Sequence, residues 1–308
     1  MPVVDVTHFT DPGCPWAWSA SPALAALDWR FGDQLAWRHV MIGLAEDGAL
    51  YEARGYTPVR AARGQVRFRR FGMPFAPLPK ARVSGTSRGC RAIVAVRLQA
   101  PEREWAALRA LQFLQFTTVG TLDDDAALLT ALAGVEGVDA EAAVGAIDSP
   151  AVIAAYEADR AEARSASGTP AEVQGKTFDS DGAERYTAPS VIFTLGETTL
   201  IAGGFQNLQA YDVLLANLAP DLDRRAAPED VAEVLAAFPD GLTTAEVAEV
   251  YATGAASETD RGATEDALLE AAAAGTAVRI PAGDDARWLP AGGAAAAAGR
   301  FSAAGAHA

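Results

Sequence analysis

Cysteine is scarce in this chain: its 308 residues hold two, Cys14 and Cys90. So few exclude a disulfide-stapled scaffold and fit a reducing compartment. Histidine is nearly as scarce, and three scattered histidines with two cysteines supply no metal-ligand spacing, so no metal is expected. No apolar run is long enough to span a bilayer, and no basic and apolar leader precedes Cys14. The expectation is a cytoplasmic protein with no membrane partner. Positive charge is in deficit, with a net −15 and a pI near 4.6, which argues against nucleic-acid and acidic-membrane partners. No glycine-rich loop follows a strand, so no nucleotide cofactor is indicated. What remains is half hydrophobic and long enough for a substantial core in two or three domains. The preference for Ala, Gly and Arg over Lys hints at a GC-rich bacterial genome.

Residues 3–9 alternate like a strand, 19–30 have a helical pattern, and 36–42 alternate again. This is one β-α-β unit. Residues 43–82 are rich in Gly, Pro and Arg; part of 51–71 has helical character, and the prolines of 73–79 mark a loop. Helical segments follow at 87–99, 102–118, 122–133, 140–147 and 150–164. Strand character returns at 190–194 and 199–202, joined by a turn at Gly196-Glu197, before a helix at 207–218. The order is β-α-β, a helical insert at about 83–165, then β-β-α, together covering about residues 1–220.

After a linker at 220–228, residues 228–290 read as a separate module of three helices and a hairpin, the winged-helix arrangement. Winged helices that bind DNA do so through a basic third helix. Here 228–290 holds 13 acidic and 3 basic residues, and the third helix carries Glu265, Asp266 and Glu270. Such a surface repels phosphate. Protein contact, within the chain or between copies, and a solvated acidic appendage are the two readings of it. Residues 291–308 are an Ala/Gly tail for which disorder is expected.

The chemistry concentrates at Asp11-Pro12-Gly13-Cys14-Pro15-Trp16-Ala17-Trp18, where the first strand meets the first helix. A cysteine at a helix start faces backbone N–H groups and the positive end of the dipole, which predicts a lowered thiol pKa. Trp16 reads as the lip of such a site and Trp18 as packing behind it. His8 and His39 lie in strands and read as strand residues rather than catalytic bases.

Strand, Cys14-Pro15-Trp16, helical insert and Thr187-Ala188-Pro189 before a hairpin together resemble the DsbA-like branch of the thioredoxin superfamily. The likeness is greatest to cytosolic actinobacterial members, whose motif reads Asp-Pro-x-Cys-Pro-Trp-Cys-Trp. Kappa-class glutathione transferases and hydroxychromene-carboxylate isomerases share the fold. The resemblance implies an α/β thioredoxin-like fold with a helical insertion, to which the small winged-helix-like α+β module is appended. It implies thiol-disulfide oxidoreductase activity with Cys14 as nucleophile, shaped by Pro15 and Trp16. It also implies a cis peptide at Pro189, with Ala188 offering its backbone to substrate. The chain departs from the motif at Ala17, which stands where the resolving cysteine belongs.

A monothiol mechanism is therefore expected. No cofactor is tightly bound; a low-molecular-weight thiol such as mycothiol or glutathione resolves the mixed disulfide, and the substrate is a small thiol or disulfide. Cys90 is the second candidate for resolving thiol, although free cysteines commonly act as small core residues. Two alternatives stay open. One is a thiol-dependent transferase or isomerase, in which Thr86, Ser87 and Arg88 occupy the place where such relatives contact substrate. The other is a redox-inactive binding protein on the same fold.

Overall fold

The computed structural model describes residues 3–179, 182–252 and 259–293. Strand β1 (Val4–Thr10) leads through Cys14 into α1 (Pro15–Ser19) and α2 (Ser21–Phe31), and β2 (Leu35–Met41) returns parallel to β1. Proline at the first helical position suits α1 because its missing N–H would be unpaired there anyway. The arginine-rich stretch that follows forms two short helices, α3 (Gly48–Ala53) and α4 (Pro58–Phe68). Asp47 and Thr57 cap them, accepting hydrogen bonds from Leu50 and Arg60 N–H groups.

The helical insert comprises α5 (Ser87–Gln99), α6 (Glu104–Thr117), α7 (Asp125–Leu132), α8 (Ala140–Gly145) and α9 (Pro150–Ala163). A short α10 (Pro170–Val173) and a small hairpin, β3 (Thr177–Asp179) and β4 (Glu184–Tyr186), follow; none of the three is legible in the sequence, because each is too short to show a period. Then come β5 (Ser190–Leu195), β6 (Thr198–Ala202) and α11 (Leu208–Leu218). The main sheet has the order β2-β1-β5-β6, with β5 antiparallel to both its neighbours. This is the thioredoxin-like sheet that the resemblance implies, with the insert between its two halves.

The C-terminal region runs α12 (Val231–Ala237), β7 (Leu242–Thr243), α13 (Thr244–Val250), α14 (Arg261–Ala273), β8 (Ala277–Ala282) and β9 (Asp285–Pro290), with sheet order β7-β9-β8. Helix α14 begins three residues before the periodic pattern, so it carries one basic residue, Arg261, which pairs with Asp285. Although separate in sequence, this region is not separate in packing. Val247, Val250, Leu268 and Trp288 lie in one continuous core with Val4, Leu24, Trp29 and Phe193. Gly283, at φ +58, brings the β8–β9 turn against the main chain of Phe75; a Cβ there would lie 2.6 Å from the Phe75 carbonyl carbon. Asp284 then accepts the Phe75 N–H and donates its own N–H to the Phe75 carbonyl. Of the Ala/Gly tail, Ala291–Gly293 form a single 3-10 turn and the rest lies outside the described residues. Among the described residues no helix is long and apolar enough to cross a membrane.

His8 of β1 and His39 of β2 are paired in register and fully enclosed, with their Nδ1 atoms 3.3 Å apart. Trp105 stacks on His39. Burial pushes His8 down to about 3, and burial, His8 and the nearby Arg97 push His39 down as well. Both rings are neutral when folded, whereas both protonate below about pH 6.5 in the unfolded chain. The unfolded state then binds more protons, so stability is full above pH 6.5 and falls as the pH drops. Urea titrations between pH 6.5 and 5 are expected to show a loss approaching roughly 2.7 kcal/mol per pH unit, the value for two groups. Buried carboxyls with raised values, such as Asp11 and Glu104, take up protons sooner in the folded chain than in the unfolded one and so oppose this loss. A His8→Asn/His39→Asn variant that keeps the slope would show that it arises elsewhere.

Candidate active site

Cys14 is the N-cap of α1, with an extended backbone that leaves the turn after β1 and opens the helix. Its N–H donates to the Asp11 carbonyl at 3.1 Å, closing the turn. Its thiol donates to the Ala188 carbonyl at 3.1 Å, across 174 residues of sequence. The Ala188-Pro189 peptide is cis. Cys14, Ala17 and Ala188 share one small core with Phe9, Val40, Ile42 and Tyr186. The fold thus brings together the two halves of the site that the sequence places far apart. Trp16 stands at the surface, 40% exposed, among Phe68, Phe71 and Phe205. Trp18 is entirely buried, stacked on Phe116, with its indole N–H on the Pro74 carbonyl.

The expected lowering of the Cys14 pKa is not what this conformation produces. Cys14 is only 5% exposed, and burial pushes its thiol up to about 12. The N–H groups of Ala17 and Trp16 act in the opposite sense, as does the buried Arg185, while Asp11 adds to the rise. The helix-start donors are local to the motif, whereas burial comes from residues distant in the chain and outweighs them here.

Asp11 is the residue whose role the sequence did not reveal, though it opens the motif. Its enclosed carboxylate accepts from Gly13 N–H at 2.8 Å, Leu44 N–H at 2.9 Å and Thr86 Oγ1 at 2.8 Å. Burial raises its pKa against those hydrogen bonds. It ties the cysteine turn to the start of α5 and to the loop after β2. The signal was its offset before Cys14, the position of an Asx turn. Arg185 and Tyr186, on the short β4, also escaped sequence reading; Tyr186 stacks on Phe9 at 4.4 Å.

Cys90 is fully buried in the insert core with Ile93, Val94 and Leu108. Its thiol faces the Asp11 carboxylate at 3.5 Å, and neither cysteine is in a disulfide. Burial raises its pKa, and Asp11 raises it further. Thr86 and Ser87 are buried and engaged inside the protein, Ser87 accepting from Tyr156 Oη at 2.7 Å. Arg88 points away to Asp125 and Asp148. Among the described residues no group of His, Cys, Asp and Glu side chains could hold a metal ion.

Comparison with known proteins bears on the fold and the family. A model of the DSBA-like thioredoxin domain matches residues 5–188. No curated protein matches the sequence. Among solved structures, a putative protein disulfide isomerase from Nitrosomonas europaea is similar at 17% identity, covering 70% of this chain and 97% of its own, with a TM-score of 0.53. A probable DsbA oxidoreductase from Streptomyces coelicolor is also 17% identical, covering 73% of this chain and 93% of its own, with a TM-score of 0.52. At such identity these two speak for the fold, and the domain match, over more than half the chain, speaks for the family. The chain belongs to the DSBA-like thioredoxin-domain family, that of the DsbA-like thiol oxidoreductases.

Proposed function

We propose that the protein is a cytoplasmic thiol-disulfide oxidoreductase that works with one thiol, Cys14, and relies on a low-molecular-weight thiol such as mycothiol or glutathione for resolution. The observation that carries this reading is the Cys14 sulfur held on the Ala188 carbonyl, with Ala17 N–H beside it and no thiol in the Ala17 side chain. In the first step the Cys14 sulfur attacks one sulfur of a disulfide. A Cys14–substrate S–S bond forms, the substrate S–S bond breaks, and the second substrate sulfur leaves as thiolate, taking up the proton Cys14 has lost. In the second step the small thiol attacks the substrate sulfur and returns Cys14 as a thiol. An S–S bond forms between the small thiol and the substrate sulfur as the Cys14 bond breaks. One substrate sulfur thus leaves as a thiol, the small thiol takes its place, and electrons balance as a disulfide exchange.

Burial is the largest influence raising the Cys14 pKa, and admission of substrate and water at the Trp16 lip removes it. The Trp16 and Ala17 N–H groups and Arg185 then act on a wetter sulfur and favour the thiolate. Incubation with glutathione disulfide or mycothiol disulfide is expected to place one thiol on Cys14, reversibly, as read by mass spectrometry. Cys90→Ser should leave this unchanged and Cys14→Ser should abolish it. An adduct on Cys90, or none on Cys14 while a control thiol is modified, overturns the proposal. The burial of Cys14 favours one rival, a redox-inactive binding protein. For that rival, Cys14 stays unmodified and Cys14→Ser leaves partner binding intact.

A further inference from the structure

The acidic chain carries one strongly basic segment, and it borders the cysteine. Residues 48–82 hold eight basic residues and one acidic residue, Glu52, in a protein of net −15. Arg60, Arg63, Arg67 and Arg70 are all exposed and follow one another at three- and four-residue steps on one side of α4 and its 3-10 extension. At 1.5 Å per residue the stripe is about 15 Å long. Arg69, on the other side, is bound to Asp284 of the β8–β9 turn and so anchors the segment. Among the described residues Arg63, Arg67 and Arg70 form no ion pair.

One end of the stripe leads to the lip of the site. The Arg70 guanidinium lies over Phe71 at 4.8 Å, and Phe71 packs on Trp16 at 5.4 Å. At the other end Arg60 lies over Tyr56 at 4.6 Å, and Tyr56 packs on Tyr51 at 5.5 Å.

We propose that this stripe is a docking surface for an acidic polypeptide segment that presents a cysteine to Cys14. The inference rests on the thiol-disulfide reading above and names its substrate class. A small carboxylated thiol is too short to engage a row of about 15 Å. A nucleic acid matches the charge and brings no sulfur. A polypeptide with acidic residues around a disulfide-bonded cysteine satisfies both requirements. Opposite charge steers it to the lip, where the Trp16, Phe68 and Phe71 rings give it an apolar contact.

The test compares two peptides, each with one cysteine held as a 2-thiopyridyl disulfide, one flanked by glutamates and one by lysines. Cys14 attacks the peptide sulfur, the bond to the thiopyridyl sulfur breaks, and the Cys14 proton ends on the released thiopyridone, which is read by absorbance. At low salt the glutamate peptide should react about tenfold faster, the scale of a few exposed charge contacts acting together. The advantage should vanish at high salt and in an Arg63→Glu/Arg67→Glu variant, while the rate with uncharged dithiodipyridine stays the same.

Fluorescence anisotropy of a labelled glutamate peptide with serine in place of cysteine reads the surface without the chemistry. Binding should weaken about tenfold in the same variant. If Cys14 reacts with no disulfide but this binding holds, the redox reading fails and the docking surface stands. Equal rates and equal binding for the two peptides overturn the proposal. So does an oligonucleotide that displaces the glutamate peptide at lower concentration than the peptide itself requires.

Discussion

An Ala17→Cys variant is expected to resolve its own mixed disulfide and release substrate with no added thiol. Ala17 follows Cys14 by three residues on the first turn of α1 and sits 2% exposed in the same small core. Residues at that helical spacing lie well within the roughly 7 Å between Cα atoms that a disulfide tolerates. The introduced thiolate would attack the Cys14 sulfur, expel the substrate as thiolate, and leave an intramolecular disulfide. The two thiols together deliver two electrons to one substrate disulfide. In the parent protein a glutathione adduct on Cys14 should persist until outside thiol arrives. In the variant it should disappear at least tenfold faster and be replaced by a product two hydrogens lighter, an order-of-magnitude expectation for an intramolecular step. Adducts equally long-lived in both proteins would mean that the Ala17 position cannot reach the sulfur. External resolution would then be a matter of geometry rather than of a missing atom.

The second large effect is expected at Glu246, on the C-terminal α13. Its carboxylate is almost completely buried and pairs with Arg109 of α6 at 2.7 Å. Ser21 of α2 donates to Glu246, and Arg109 Nη1 donates to Ser21 at 2.9 Å. The same carboxylate accepts the Thr243 N–H at 2.7 Å, completing the capping box of α13. One side chain therefore joins the insert, the first βα unit and the C-terminal module. The Arg109 guanidinium also lies over Trp18 at 4.8 Å, behind the active-site turn. Glu246→Ala leaves that guanidinium buried without its counter-charge, at a cost of about 3–5 kcal/mol, with about 1 kcal/mol more for the lost cap. Urea unfolding followed through tryptophan fluorescence measures this. A loss under about 1 kcal/mol would show that water relieves Arg109 and that the pair does not hold the module in place. Glu246→Gln, which keeps acceptors for Ser21 and Thr243, should cost less than Glu246→Ala.

The local signals were strong where chemistry constrains a few consecutive residues. Proline after Cys14 suits a helix start, so α1 and the position of the cysteine were legible without coordinates. The alternation over 3–9 and 36–42 revealed β1 and β2 because strands with unequal faces show a period of two. The pattern over 87–99 matched α5 at both ends, since its apolar residues recur over more than three turns. Segments shorter than one period stayed invisible: α10, β3 and β4 have three or four residues each. Arg185 and Tyr186, which face the site from β4, went with them.

By itself the sequence determined the nucleophile, the absence of its usual partner at Ala17, the order of the elements and the proline that meets the cysteine. These are properties of adjacent residues and of periodicity. Only the tertiary structure decided how the thiol behaves. Protonation depends on the balance between the helix-start donors and burial, and burial is set in large part by Val40, Tyr186 and Ala188, remote in the chain. It also decided that Cys90 faces Asp11, that the acidic C-terminal region shares the core of the domain it follows, and that a row of arginines borders the lip of the site. Each of these is a contact between residues far apart in sequence, and no local pattern encodes such a contact until the chain has folded.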